Sequence, residues 1–302
     1  MAGVVGREAA AVGVIGVGNM GSAMALRLLE CGHRVVVRDI RPEAQAAAVA
    51  AGAAASPDCA TLARRCGLSI VAVVDAAQCE AVLFGERGVC QGLRGDAAVM
   101  ICSTIGPHDV ESLADRLAAL NVPCIDAPVS GGPSRAREGT MSLMVACADA
   151  VFERHRPVLH DLSSSLVRLG ERIGDGARTK LVNNLLAAVN LAGAAEAMAL
   201  AERLGLDAQR TLQVFERSSA QSWIGSDRLR RALADDFEPR AHTSLLAKDT
   251  ALAVAMAAGA GVRPPLGAGA QELFAQACAQ GLASLDDASL LTLMRRRFAS
   301  DC

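Results

Sequence analysis

Lysine is nearly missing from this chain. Only Lys180 and Lys248 are lysines, while arginine fills the other 28 basic positions. Aromatic residues are scarce too, at 2%, with no tyrosine and one tryptophan, which argues against a surface that stacks nucleic-acid bases. An excess of one charge is also lacking. The 30 basic and 32 acidic residues are well mixed and the formal net charge is −2, so neither nucleic acid nor an anionic membrane finds an electrostatic footprint. A small, weakly charged ligand fits better. The ten cysteines form no CxxC pair and share no metal-ligand spacing with the five histidines, so no metal site is expected. They read as small core hydrophobes in a reducing compartment, which points to the cytoplasm. The N-terminus is broken by Arg7 and Glu8, and the longest apolar run, Leu185 to Ala201, is interrupted by Asn190, Gly193 and Glu196. Neither a secretion signal nor a membrane span is expected.

What is present is an Ala-, Val- and Leu-rich chain, 52% hydrophobic over 302 residues, long enough for two domains. Short β-branched runs alternate with helical patterns in the first half, as in a parallel sheet with crossover helices. Strands are expected at Val12–Ile15, Arg34–Arg38, Ser69–Val74, Ala98–Cys102, Cys124–Asp126, Ser142–Ala146 and Leu166–Arg168, and helices at Ser22–Cys31, Pro42–Ala50 and Pro107–Leu120. After about Ala177 only helical patterns follow. The expected fold class is α/β, with a Rossmann-like doubly wound sheet over residues 1–173 and an all-α domain over 174–302, divided near Gly174–Gly176.

The stretch VGVIGVGNMGSAMALRLLECGHRVVVRD carries a dinucleotide fingerprint in its required setting. A strand leads into Gly16, Gly18 and Gly21, with Val17, Asn19 and Met20 between them; a helix follows, and a second strand ends at Asp39. Gly16 permits the tight turn, Gly18 lets backbone approach the pyrophosphate, and Gly21 lets helix and strand pack closely. The helix N-terminus supplies N–H groups to the phosphates. Asp39 suits ribose hydroxyls and opposes a 2′-phosphate, which favours NAD, with NADP as the alternative.

Two further stretches carry chemistry. In DAPVSGGPSRAREGTMSLM, Ser130, Gly131 and Gly132 offer a hydroxyl and open backbone N–H groups to a carboxylate, or else form a turn stiffened by Pro128 and Pro133. In GARTKLVNNLLAAVN, Lys180, Asn183 and Asn184 share one helical face, and Leu181, Val182, Leu185 and Leu186 around them imply burial. Oxidation of an alcohol by NAD requires loss of the hydroxyl proton. A lysine amine can accept it once its pKa falls from about 10.4 toward about 7–8, whereas arginine stays above about 12. A solvated first-turn lysine is the alternative for Lys180, and an ion pair with Asp249 is the alternative for Lys248. Trp223 and Phe237 read more readily as helical core than as pocket walls, and Arg135 and Arg137 as a solvated face.

The motifs GVIGVGNMGSAMALRL, DAPVSGG, GARTKLVNN and LLAKDTALA, in this order, resemble the β-hydroxyacid dehydrogenases related to 3-hydroxyisobutyrate dehydrogenase. AAEAMALAERLGL and DDFEPR look closest to the L-threonate dehydrogenase branch. The resemblance implies hydride transfer between a small hydroxy acid and NAD, with Lys180 as acid/base, Asn184 or Asn183 orienting the substrate, and Ser130, Gly131 and Gly132 holding its carboxylate. It implies that Val73 and Val74 line the cofactor groove, that Thr104 lies near the nicotinamide, and that Lys248 closes over the cofactor. It further implies a homodimer or homotetramer. 3-Hydroxyisobutyrate oxidation and tartronate or succinic semialdehyde reduction are alternatives within the family, and a non-catalytic NAD-binding module is the alternative outside it.

Overall fold

The computed structural model describes residues 10–300. The expected N-terminal break at Arg7 and Glu8, and Cys302, lie outside the described residues. Internal contacts divide the chain into two compact units, residues 1–180 and 181–302.

The first unit is one sheet with helices on both faces. Its strands are β1 (Ala11–Ile15), β2 (Val35–Arg38), β3 (Ala54–Ala55), β4 (Cys66–Val71), β5 (Ala98–Ile101), β6 (Cys124–Asp126), β7 (Val129–Ser130), β8 (Ser142–Ala146) and β9 (Ser165–Gly170). Between them run α1 (Asn19–Glu30), α2 (Ala46–Ala50), α3 (Cys59–Ala63), α4 (Ala76–Phe84), α5 (Pro107–Ala119), α6 (Gly132–Glu138) and α7 (Asp149–Leu162). The strand order is β3-β2-β1-β4-β5-β6-β8-β7, with β9 added on β8. Pairing is parallel from β3 to β6; β8 runs antiparallel to β6 and β7. The two-residue side-chain period sorts each central strand into two cores. Val12, Val14, Leu68, Ile70, Ala98 and Met100 face one layer. Ala11, Ile15, Cys66, Val71, Val99 and Ile101 face the other. The sheet is thus buried on both sides, as the near-continuous apolar strands require.

Several expected boundaries move. The fourth strand begins at Cys66 and ends at Val71, not at Val74, because the chain leaves the ladder there: Val73 N–H donates to Ser103 Oγ and Val74 N–H to Gln78 Oε1. The helix expected over Pro42–Ala50 opens as a 3-10 turn, Pro42–Gln45, before α2. The two-residue strands β3 and β7 have no sequence signal of their own. Cys66, Cys79, Cys102 and Cys147 are buried, and burial pushes the Cys66 thiol up to about 12 and the Cys147 thiol up to about 11.

The helix α8 (Asp175–Arg203) begins in the first unit and continues into the second. The helices α9 (Ala208–Arg217), α10 (Trp223–Ala232), α11 (Thr243–Gly259), α12 (Pro265–Ala277) and α13 (Leu290–Ser300) follow. By length and composition α8 could cross a membrane. In this fold Ala188, Leu191, Ala192, Ala195, Met198 and Ala199 of α8 instead sit in the core of the helical unit with Phe274, Leu291 and Met294. Val182, Leu186 and Leu200 lie on the exposed side of the same helix, so α8 is apolar beyond the stripe that this core covers.

Candidate active site

The three glycines of the first loop are set apart by what a side chain would meet at each. Gly16 ends β1 with φ +84°, and a Cβ there would lie 2.5 Å from the Ala72 carbonyl and 2.9 Å from Val73 Cγ1. Gly21 stands in the first turn of α1, where a Cβ would lie 1.9 Å from the Gly16 carbonyl oxygen. Gly18, at the start of α1 with ordinary extended backbone, has nothing within 4 Å of its would-be Cβ. Packing demands the first two glycines, whereas open space surrounds the third. Gly18 supplies no side-chain cap to the helix, and α1 carries no acidic residue in its first turn. The first-turn N–H groups and the positive end of the helix dipole therefore suit an anion. These residues fit the pyrophosphate of a dinucleotide.

Position in the sheet agrees. β1 lies between β2 and β4, so the chain leaves the sheet in opposite directions on its two sides, at the switch point where open α/β sheets bind ligands. The loop after β4, with Val73 and Val74, adjoins Gly16 there; Val74 is exposed. At the end of β2, Asp39 is buried, and its carboxylate accepts from Val17 N–H and Arg41 N–H, both at 2.9 Å. Asp39 thus ties the glycine loop to the neighbouring strand. Thr104 is half-buried after β5, beside Ser103, whose hydroxyl holds Val73.

In the second loop, Ser130 pairs with Ser142 across β7 and β8, so its backbone is fixed by the sheet. Gly131 and Gly132 follow with φ +125° and +75°, conformations that side-chain-bearing residues rarely adopt. Arg135 donates to the Thr140 carbonyl and Arg137 pairs with Glu30 of α1. Both arginines have protein partners.

Lys180 and Asn184 of α8 are buried, at 7% and 8% exposure. Their burial matches the expected apolar surroundings only on one side: Leu181 is buried, but Val182 and Leu186 are 59% and 61% exposed, and Asn183 is exposed with them. Lys180, Leu181 and Asn184 thus turn inward, while Val182, Asn183 and Leu186 lie on an open side of α8. Asn183 Nδ2 donates to Asn184 Oδ1 at 3.1 Å, and Asn184 Nδ2 donates to Asp249 Oδ2 at 2.7 Å. An amide nitrogen facing a carboxylate fixes which way the Asn184 amide points, and one N–H and one lone pair of that amide remain for a ligand. Asp249 Oδ1 lies 2.8 Å from Lys248 Nζ, an ion pair without hydrogen-bond alignment. A lysine, an aspartate and two asparagines from α8 and α11 thus form one polar string. Asp249, expected as a surface partner for Lys248, is interior at 7% exposure. Its adjacency to Lys248 in the KD pair was the only available signal, because the contact with Asn184 spans 65 residues. Trp223, expected in the helical core, is 53% exposed at the start of α10, while Phe237 packs against that core.

Known proteins match this chain over most of its length. Residues 11–170 match the NAD binding domain of 6-phosphogluconate dehydrogenase, and residues 174–294 match the domain described as NAD-binding of NADP-dependent 3-hydroxyisobutyrate dehydrogenase. The L-threonate dehydrogenase of Escherichia coli K12 is 35% identical over 93% of this chain and 94% of its own. The 3-hydroxyisobutyrate dehydrogenase of Pseudomonas aeruginosa is 34% identical over 94% of this chain and 98% of its own. A crystal structure described as 3-hydroxyisobutyrate dehydrogenase from Salmonella typhimurium superposes with a TM-score of 0.88 at 34% identity, covering 93% of this chain and 99% of that one. The chain belongs to the β-hydroxyacid dehydrogenase family related to 3-hydroxyisobutyrate dehydrogenase, and is an NAD-dependent oxidoreductase of small hydroxy acids.

Proposed function

We propose that the chain oxidises a short sugar acid such as L-threonate, with Lys180 as the group that accepts the hydroxyl proton. The observation that carries this reading is the burial of one of only two lysines, one helical turn before an asparagine whose amide is held by a buried aspartate. An amine so placed can take the proton as the carbinol carbon gives up its hydride. The bound dinucleotide supplies the hydride acceptor. Gly16 to Gly21, with Val17, Asn19 and Met20, hold its pyrophosphate; Asp39 takes the ribose hydroxyls, and Val73, Val74 and Thr104 line its path. Ser130, Gly131 and Gly132 anchor the substrate carboxylate through a hydroxyl and backbone N–H groups that no side chain obstructs. Asn184 orients the reacting hydroxyl, with Asn183 bracing Asn184, and Lys248 adds positive charge for the cofactor.

The Asp39 carboxylate favours NAD over NADP, since a 2′-phosphate would meet its charge. The relatives named L-threonate dehydrogenase support the sugar-acid assignment. The exposed Val182 and Leu186 on α8 and Leu266 on α12 support self-association as a dimer or tetramer. The cytoplasm, where cysteines stay reduced, suits a chain whose described cysteines are all free thiols.

The test is a spectrophotometric screen for NADH production over L-threonate, D-glycerate, 3-hydroxyisobutyrate and serine, repeated with Lys180→Ala. Turnover is expected with the sugar acid, and the substitution should lower kcat by about 10²–10⁴ while NAD affinity stays nearly constant. Turnover that survives the loss of Lys180 would show that another group accepts the proton.

A further inference from the structure

Asp126 stands at the end of β6, four residues before Ser130, and is 1% exposed. Its Oδ2 accepts from Gly174 N–H at 2.9 Å and Ala177 N–H at 3.3 Å, two amides at the start of α8. Its Oδ1 is buried without a hydrogen-bond partner. Gly176 makes this approach feasible: a Cβ at that position would lie 2.6 Å from Asp126 Oδ1.

We infer that Asp126 is a positioning residue for Lys180, whose grip on the first turn of α8 sets where the amine stands. This rests on the proposed role of Lys180 as proton acceptor. Lys180 lies three residues beyond Ala177, a rise of about 4.5 Å along the helix. Helical Cα–Cβ bonds tilt toward the N-terminus, so the lysine side chain sets out toward the end that Asp126 holds.

The contrast with other caps in the same unit supports a positioning role. Asp58 and Asp75 cap α3 and α4 from the residue just before each helix, accepting from Thr61 and Gln78 N–H. A local cap of that kind stabilises a helix without removing a carboxylate from water. Asp126 comes instead from a strand 48 residues away, buried, with one oxygen unpaired. Burial pushes its carboxyl up to about 6 despite the backbone donors, so the anion sits there at a cost. What the cost secures is the place of the helix start relative to the sheet. The same strand end leads through Ala127 and Pro128 into Ser130, so one carboxylate joins the proposed anchor of the substrate to the turn that carries the proposed base. Arg178 adds a second tie, pairing with Glu111 of α5 and Asp175.

The experiment measures kcat and KM on the full chain for Asp126→Ala, Asp126→Asn, Gly176→Ala and Asp126→Ala/Gly176→Ala, with Lys180→Ala alongside. Asp126→Ala is expected to lower kcat about 10- to 100-fold, the scale of an ångström of misplacement, with KM for NAD within about twofold. Asp126→Asn keeps an oxygen for the two amides and should recover kcat to within about threefold of the parent. Gly176→Ala introduces a better helix former, yet should lower kcat by displacing the carboxylate, and should add less than about twofold on top of Asp126→Ala. Parental kcat in Asp126→Ala or Gly176→Ala, beside a dead Lys180→Ala, overturns the inference while leaving the base assignment intact. So does an Asp126→Asn enzyme as impaired as Asp126→Ala. Should Asp126→Ala fail to fold, the Asn and Gly176 variants decide alone. Turnover in Lys180→Ala removes the base assignment and this inference with it.

Discussion

Gly18 and Gly21 are three residues apart in one loop, and substitution by alanine should separate binding from folding. At Gly21 the new methyl would lie 1.9 Å from the Gly16 carbonyl oxygen. An ordinary carbon–oxygen contact is about 3.3 Å, so helix and loop would have to part by more than an ångström. Gly16 cannot easily yield, since its N–H donates to the Arg38 carbonyl at 2.9 Å and its own Cβ space is closed by Ala72. Forced overpacking of this kind costs about 1–3 kcal/mol, which translates to a fall in Tm of about 2–12 °C for a chain of this size. At Gly18 the methyl meets nothing and the backbone is one alanine adopts freely, with φ −68° and ψ −159°. Loss of glycine at the helix start and the reduced freedom of the unfolded chain nearly cancel, leaving Tm within about 2 °C. The methyl would instead occupy the space proposed for the pyrophosphate, and NAD should bind at least about tenfold more weakly, a loss of about 1.4 kcal/mol. Thermal melting without cofactor and calorimetric titration with NAD measure the two effects. A Gly18→Ala protein that binds NAD normally, or that melts as early as Gly21→Ala, would refute the assignment of the open face to the cofactor.

Asp39→Ala should raise the NADP-to-NAD ratio of kcat/KM by about tenfold or more, since the charge opposing a 2′-phosphate is gone; an unchanged ratio would mean that other residues choose the cofactor. Asp249→Ala strips the acceptor from Asn184 Nδ2 and the carboxylate from beside Lys248, and should lower kcat about tenfold or more, with Asp249→Asn less impaired. Equal kcat in Asp249→Ala and the parent would detach this string from catalysis. Asp126 also predicts a pH effect on stability. Its folded pKa, raised from 3.8 to about 6, means that the folded chain holds the proton more tightly than the unfolded one. Its contribution is therefore fully present below about pH 3.8 and is lost as pH rises through about 6, by roughly 3 kcal/mol at most. The Tm of the parent relative to Asp126→Asn should fall between pH 4 and pH 7; a constant difference would show that the carboxyl is not shifted.

Sequence patterns that depend on neighbours along the chain were readable in advance. The apolar strands expected at Val12–Ile15 and Ala98–Cys102, the glycine fingerprint closed by Asp39, and the helix bearing Lys180 all express periods or spacings of a few residues, which local backbone geometry enforces. Tertiary structure decided whatever depends on residues far apart in the chain. β3 and β7 are two residues long and exist because a neighbouring strand offers its edge. Val182 and Leu186 are as apolar as Leu181, yet they stay exposed because the fold brings nothing in the described residues to cover them. The partners of the two key polar groups, Asp249 for Asn184 and Asp126 for the start of α8, lie 65 and 48 residues away. A lone aspartate looks the same in sequence whether water or a buried amide receives it, so only the packed chain reveals which carboxylates hold the lysine helix in place.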